Sequence, residues 1–216
     1  MKKVLILVEG QTEESFVSKV LAPALEAVNV TTIPTVVVTK VVRGHASHKG
    51  GFPAYEKVRK DLQRLLKDSS AALVTTMFDY YALPSTSPGM ATRPALPSLD
   101  RARHVEAALQ ADLNHARFRA YLSIHEFEAT LFADLAQCPF LDSRAMRTLA
   151  AARAAVPTPE HINDSPSTAP SKRILAAFPD YQKVLHGVQG TQAIGLPKLR
   201  AECPHFGDWV AALEAA

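Results

Sequence analysis

The stretch Lys3-Val4-Leu5-Ile6-Leu7-Val8-Glu9-Gly10-Gln11-Thr12-Glu13-Glu14 carries the main signal for the fold. Its first half is a nearly continuous apolar run, which is typical of a strand covered on both faces inside a parallel sheet. Glu9 and Gly10 then form a turn, and Thr12 is a good N-cap for a helix. Apolar residues at helical spacing follow, and Pro23 is expected to kink or split that helix. The chain therefore begins with a strand, a turn and a helix.

Strand and helix signals continue to alternate up to about residue 140. Further strands are predicted over residues 35–42, 71–78 and 118–124, and helical segments over 55–66, 100–113 and 127–135. Such alternation predicts a parallel sheet with right-handed crossovers. Beyond it, only helical patterns are found, over residues 144–156 and 172–178. We therefore predict an α/β protein with a Rossmann-like, mostly parallel sheet of about four strands flanked by helices (residues 1–138) and a helical C-terminal extension on the same core (residues 139–216).

Composition narrows the class of protein. The chain has 216 residues, of which 47% are hydrophobic and 21% charged, so it is long enough to bury a core and is neither disordered nor a disulfide-stapled mini-fold. Cys138 and Cys203 lie far apart, which argues against a zinc ribbon or a thioredoxin-type site. The apolar run 4–8 is too short to span a bilayer or to serve as a signal-peptide core, so we expect a cytoplasmic protein without a membrane partner. A net charge of +3 permits nucleic-acid binding but does not require it.

Acidic side chains follow the ends of the predicted strands. Glu9 follows the first strand, Asp79 the third, and His125, Glu126 and Glu128 the fourth. In an open parallel sheet these strand ends face one crevice, where ligands bind. Carboxylates gathered there repel one another unless a cation lies between them, and hard oxygen ligands suit Mg²⁺ or Mn²⁺ rather than zinc. The sequence therefore predicts a divalent-cation site in this crevice.

Each candidate also has a structural explanation. Glu13 can join the site from the first helical turn, but acids there are common because they offset the helix dipole. Asp79 can be a turn residue at a strand exit, and the acids after the fourth strand can simply begin a helix. Lys172 and Arg173 lie at a predicted helix start, where cations oppose the dipole; this mild penalty favours a phosphate-facing role.

Other motifs are weaker. His45 and His48 fall in a Gly- and Lys-containing loop, which favours a solvated turn. Gly50-Gly51 lacks the Lys-Ser/Thr that completes a P-loop. Two polar, proline-containing loops, residues 84–99 and 157–171, are long enough to be either mobile or functional.

Two short motifs resemble those of Toprim domains. Val8-Glu9-Gly10-Gln11-Thr12-Glu13-Glu14 is similar to the first Toprim motif in the form found in OLD-family (overcoming lysogenization defect) nucleases. Met77-Phe78-Asp79-Tyr80-Tyr81 is similar to the second motif, D-x-D. The whole chain resembles a bacterial stand-alone Toprim-like family of unknown function through four phrases, namely those at residues 78–81, 125–128, 159–164 and 168–173.

The resemblance implies a Toprim-like sheet and roles for individual residues. Glu9 would be a metal ligand or general acid/base, Glu13 an additional ligand, and Asp79 the first aspartate of D-x-D. Tyr81 stands where the second aspartate is expected, which leaves one metal position short of a ligand. Glu126 and Glu128 are the candidates to supply the missing oxygen. The family is often encoded beside AAA-type ATPases, an arrangement similar to a split OLD system in phage defence.

The predicted function is a Mg²⁺- or Mn²⁺-dependent DNA nuclease of a defence or DNA-processing system, working with an AAA-type ATPase. The predicted catalytic residues are Glu9, Asp79 and Lys172. The predicted metal ligands are Glu9, Glu13, Asp79, Glu126 and Glu128, and the predicted substrate contacts are Lys172, Arg173 and His125. One alternative is a non-catalytic module that binds a metal or nucleotide and controls a partner ATPase. Another is phosphotransfer or phosphatase activity on small substrates.

Overall fold

Five parallel strands form the central sheet of the computed structural model, which describes residues 1–37, 53–162 and 165–216. The strands are β1 (Lys2–Val8), β2 (Val30–Val36), β3 (Ala71–Asp79), β4 (Phe118–Arg119) and β5 (Leu122–Ser123). Their order is β2-β1-β3-β4, and β5 also pairs with β3. Every one of these pairings is parallel. The predicted α/β class is confirmed.

β1 lies inside the sheet, between β2 and β3. Its residues Val4 to Val8 are all buried, because alternate side chains enter the cores on opposite faces of the sheet. Burial on both faces explains why the sequence is apolar without alternation.

The second strand was predicted too far along the chain. It runs from Val30 to Val36, whereas the prediction was 35–42, of which 38–42 lie outside the described residues. Pro34 lies within the strand, where a missing N–H is tolerated because β2 is at the edge of the described sheet.

The strand predicted over 118–124 is divided into β4 and β5. Between them, the Tyr121 N–H donates to Thr76 Oγ1 (2.9 Å), and the Thr76 hydroxyl donates to the Tyr121 carbonyl (2.8 Å). A side chain of β3 thus satisfies the backbone groups that a continuous strand would pair.

The first helical region consists of α1 (Gln11–Phe16), a π-helical turn (Val17–Leu21) and α2 (Ala22–Glu26). Pro23 follows the π-helical turn directly, in agreement with the predicted irregularity. Gly10, not Thr12, is the N-cap, and its N–H donates to Glu13 Oε2 at 3.0 Å. α3 (Tyr55–Leu66) and α4 (Ser98–Leu113) follow the predicted segments closely, and a 3₁₀ turn (Tyr80–Ala82) follows β3.

The remainder of the described chain is helical. The segment predicted as a helix over 127–135 forms two 3₁₀ segments, Phe127–Ala133 and Leu135–Gln137. The regular helices are α5 (Ser143–Ala154), α6 (Pro170–Ala177), α7 (Val188–Ile194), α8 (Leu196–Glu202) and α9 (Pro204–Ala215). A π-helical turn, Lys183–Gly187, precedes α7, and short 3₁₀ turns cover Pro159–His161 and Pro166–Thr168.

The C-terminal helices share one apolar core with β1 and the first helical region. Trp209 of α9 reaches the sheet, where its Nε1–H donates to Thr75 Oγ1 (3.0 Å) and its ring stacks on Tyr121 with centroids 4.3 Å apart. A second core, on the opposite face, packs α3 and α4 against the sheet.

The domain division at residue 138 stays a prediction. Within the described residues, no helix combines the length and apolar character needed to cross a bilayer.

Candidate functional site

Two carboxylates meet where β1 and β3 end. Glu9 directly follows β1, and Asp79 is the last residue of β3. Val8 pairs in register with Met77, so the two strands end side by side. The Asp79 N–H donates to Glu9 Oε2 at 3.3 Å. Positions 70 residues apart in the chain are therefore in contact.

Glu13 and Glu128 join them from two other elements. Glu13 lies in the first turn of α1, and Glu128 in the 3₁₀ segment Phe127–Ala133. The N–H of Phe127 donates to Asp79 Oδ1 (2.7 Å) and fixes that segment to the end of β3. We call Glu9, Glu13, Asp79 and Glu128 the carboxylate cluster.

Lys183 inserts its ammonium group among these carboxylates. Its Nζ lies 3.1 Å from Asp79 Oδ2, 3.4 Å from Glu128 Oε2 and 3.5 Å from Glu13 Oε1. Sequence reasoning missed this residue, because Lys183 belongs to no motif and begins an irregular π-helical turn. No local pattern places a lysine at residue 183 against strand ends more than 100 residues earlier.

Burial dominates the electrostatics of the cluster. Side-chain exposure is 3% for Glu13, 7% for Asp79 and 2% for Glu128. Burial, reinforced by the charge of Asp79, raises the pKa of Glu9 to about 8. Burial likewise raises the pKa of Glu13, and that of Glu128 to about 7. Burial alone would lower the pKa of Lys183, but the surrounding carboxylates, Asp79 first, raise it well above its usual value. Fully ionised, the four carboxylates would carry more charge than one ammonium offsets, and the raised pKa values mean that part of this charge is removed by protonation.

Residues 8–214 of the chain match the family described as "Domain of unknown function (DUF4276)". The chain belongs to this family. No curated protein matches it. Among solved structures, the C-terminal region of the OLD protein of Xanthomonas campestris pv. campestris is similar, with 13% identity, 98% of each chain covered and a TM-score of 0.32. At that TM-score the likeness supports no conclusion about function.

Other predicted site residues of this DUF4276 member lie around the cluster. Glu126 is close enough for its charge to contribute to the raised pKa of Glu128, but its Oε2 accepts a hydrogen bond from the Ser171 N–H (3.0 Å). His125 is buried with a positive φ of 66°, and its ring lies 5.1 Å from that of Tyr81. Of the two glutamates, Glu128 faces Lys183 at 3.4 Å, whereas Glu126 is bonded to the backbone of Ser171.

The predicted phosphate-binding cations lie on α6. Lys172 is exposed and forms no ion pair with the cluster within the described part of the chain. Arg173 Nε donates to the Thr168 carbonyl at 2.8 Å. Their roles stay predictions. His45, His48, Gly50-Gly51 and Asn163-Asp164 lie outside the described residues.

As arranged, the cluster holds an ammonium group. Across residues 1–37, 53–162 and 165–216, no group of three or more His, Cys, Asp or Glu side chains is placed to hold a metal ion. Two oxygens, Glu13 Oε1 and Glu128 Oε2, are nonetheless buried without a hydrogen-bond partner in the described structure. Carboxylate oxygens are hard ligands that suit Mg²⁺ or Mn²⁺, so the residue types fit such an ion once the ammonium group has moved out of the cluster.

A cavity of about 690 Å³ opens beside Lys183. Its lining combines polar and apolar side chains, namely Lys19, Gln182, Lys183, Val184, Leu185, Val188, Gln189 and Gln192. A cavity of similar size, about 670 Å³, lies between α3 and the end of α4 and contains none of the cluster residues. The first of these cavities is lined by Lys183 but by none of the four carboxylates, so it adjoins the cluster through Lys183.

Proposed function

We propose that the carboxylate cluster binds Mg²⁺ or Mn²⁺ and that the protein hydrolyses phosphodiester bonds in DNA. The observation that carries the proposal is the position of the Lys183 ammonium, within 3.5 Å of three buried carboxylates from α1, β3 and the 3₁₀ segment. Several buried carboxylates remain together where a cation offsets their charge or where some of them bind a proton, and here an ammonium group already lies among them. A metal-dependent nuclease uses such a cation site to neutralise charge on the phosphodiester.

The four carboxylates have separable tasks. Glu13, Asp79 and Glu128 already face a cation and would hold the ion. When bound, a divalent ion neutralises charge on the scissile phosphate and activates water. Glu9 lies beside them, and burial raises its pKa to about 8 in the metal-free protein; it would exchange a proton with a reacting oxygen. Glu128 would supply the oxygen that Tyr81, in place of an aspartate, does not.

The neighbouring cavity supports a polyanionic substrate. Lys19 and Lys183 supply positive charge, while Gln182, Gln189 and Gln192 offer amide donors. Such groups bind phosphate oxygens and carry little base selectivity. We therefore prefer DNA to a small phosphomonoester, and expect binding to weaken as salt concentration rises. Lys172 and Arg173 on α6 remain candidates for further phosphate contacts, and His125 for a substrate contact.

Plasmid nicking tests the proposal. Purified protein should nick supercoiled plasmid with Mn²⁺ or Mg²⁺ and not with EDTA. Glu9→Gln should abolish nicking and leave the circular dichroism spectrum unchanged. Glu14→Gln is the matched control on the same helical turn, and it should retain activity. Nicking by Glu9→Gln at the wild-type rate would remove Glu9 from the mechanism.

A regulatory module is the second candidate. Tyr81 in place of an aspartate and an ammonium at the cation position both favour a site that stays inactive until a partner acts. The test adds an AAA-type ATPase of the kind often encoded beside members of the resembled Toprim-like family, with and without ATP. Nicking only in its presence indicates an activated nuclease. Cation binding without nicking in any condition indicates a module that controls the ATPase.

A further inference from the structure

We infer that Lys183 is a built-in substitute cation, which a divalent ion must displace before it can bind the carboxylate cluster. Lys183 would then set the affinity of the site for metal ions. The inference rests on the proposed function, since it assumes that the cluster binds such an ion. It concerns a residue that neither of the short Toprim-like motifs contains.

The ammonium group contacts three carboxylates mainly through the attraction of opposite charges, and only one of these contacts is also a hydrogen bond. Lys183 Nζ donates one hydrogen bond, to Asp79 Oδ2. Glu13 Oε1 and Glu128 Oε2 lie at 3.5 and 3.4 Å from the same nitrogen, yet neither has a hydrogen-bond partner within the described structure. These two oxygens therefore face positive charge without being bound by its protons. An incoming ion finds them already desolvated and oriented towards one point.

The geometry also gives the ammonium a route out. Lys183 begins the surface turn Lys183–Gly187, and its side chain is 37% exposed, against 2 to 7% for the three carboxylates that it contacts. Its flexible stem lines the 690 Å³ cavity. The ammonium can therefore move into that cavity while the carboxylates stay in place. Displaced there, it would lie where substrate phosphates approach.

This arrangement predicts competition between two cations. While the ammonium occupies the site, a divalent ion must overcome both its repulsion and its ion pairs with three carboxylates. Lys183→Met keeps most of the apolar stem and removes the charge. It should therefore bind metal more tightly than the wild-type protein and be less stable without metal.

Binding of Mn²⁺ alone, followed by electron paramagnetic resonance and calorimetry, tests the inference without reference to activity. Lys183→Met should bind Mn²⁺ about tenfold more tightly than the wild type, equivalent to removing one screened charge contact. Mn²⁺ should also raise its melting temperature by more. Lys60→Met, at an exposed position of α3, is the matched control and should bind like the wild type. Lys183→Arg, which retains the charge, should not gain affinity.

Equal or weaker Mn²⁺ binding by a folded Lys183→Met protein overturns the inference and leaves the proposed function standing. If this variant does not fold without metal, Lys183→Gln replaces it with the same expectations. Failure of every protein, wild type included, to bind Mn²⁺ at millimolar concentration overturns the proposed function itself. The two failures are therefore distinct.

Discussion

The Nζ atom of Lys183 lies 3.1 Å from Oδ2 of Asp79, although 104 residues separate them in the chain. Asp79 ends a central strand, whereas Lys183 belongs to the helical C-terminal region. The strand ends gather the negative charge, and the C-terminal region supplies the positive charge that offsets it. The site is thus shared between the two regions.

Asp79→Asn should remove cation binding while preserving the fold. Asn retains an oxygen to accept the 2.7 Å hydrogen bond from the Phe127 N–H, but it lacks the charge that faces Lys183 and would face a metal ion. We expect Mn²⁺ affinity to fall by about 100-fold, the scale of a lost charged contact to a cation. Calorimetry and thermal melts check this. Asp208→Asn, whose wild-type side chain is 70% exposed on α9, is the control. Undiminished Mn²⁺ affinity in Asp79→Asn would contradict a role for the cluster in cation binding.

Stability of the metal-free protein should fall as pH rises from about 4.5 to 8. The pKa of Glu9 is raised to about 8 and that of Glu128 to about 7, above the ordinary value of 4.5. At a pH between the two values the folded protein binds more protons than the unfolded chain, so raising the pH favours unfolding. The loss should amount to about 2 kcal/mol after allowance for coupling and solvent screening.

Urea unfolding in EDTA at pH 5.5, 7 and 8.5 measures this slope. Mg²⁺ should restore stability at pH 8.5, because a bound cation favours the charged carboxylates. Glu9→Gln should make the profile less steep, since Gln does not titrate whereas Glu128 still does. Stability that is constant or increases over this pH range in EDTA would show that the cluster is not protonated as described.

Local patterns predicted the parts of the structure that local interactions determine. The continuous apolar run predicted β1, because this strand is buried on both faces. The helical spacing of apolar residues predicted the helix over 55–66, because that helix is buried on one face. Both predictions were confirmed. β2 was misplaced because Val and Thr at residues 35–42 have high strand propensity, whereas the observed edge strand includes Pro34. The closeness of Glu9 and Asp79 was predictable, because each follows or ends a parallel strand and these strand ends lie at one edge of the sheet. The position of Lys183 depends on how the C-terminal helices pack, which no local pattern encodes.

Trp209→Phe tests whether α9 is fixed to the sheet. The substitution removes the 3.0 Å hydrogen bond from Nε1 to Thr75 Oγ1 and part of the stack on Tyr121. Both Trp209 and Thr75 are buried, so the Thr75 hydroxyl loses a partner that water cannot replace. We expect a loss of about 1–3 kcal/mol in unfolding free energy. Urea denaturation measures it, with Asp208→Asn on the exposed face of α9 as control. A change within experimental error would mean that this contact does not stabilise the fold.

Gly190→Ala should disturb the cluster indirectly. A Cβ at this position of α7 would lie 2.6 Å from Leu131 Cδ2, 3.2 Å from Phe140 Cε1 and 3.3 Å from Cys138 Sγ, so either the Leu131 side chain or the packing of α7 on the 3₁₀ segment carrying Glu128 must shift. Overpacking of this kind costs about 1–3 kcal/mol. Because Lys183 precedes α7 by one turn, we also expect altered Mn²⁺ affinity, measured by calorimetry beside thermal melts. Gln189→Ala, at the exposed neighbouring position, should change neither. A Gly190→Ala protein with wild-type stability and Mn²⁺ affinity would show that the Leu131 side chain absorbs the added methyl group without disturbing the cluster.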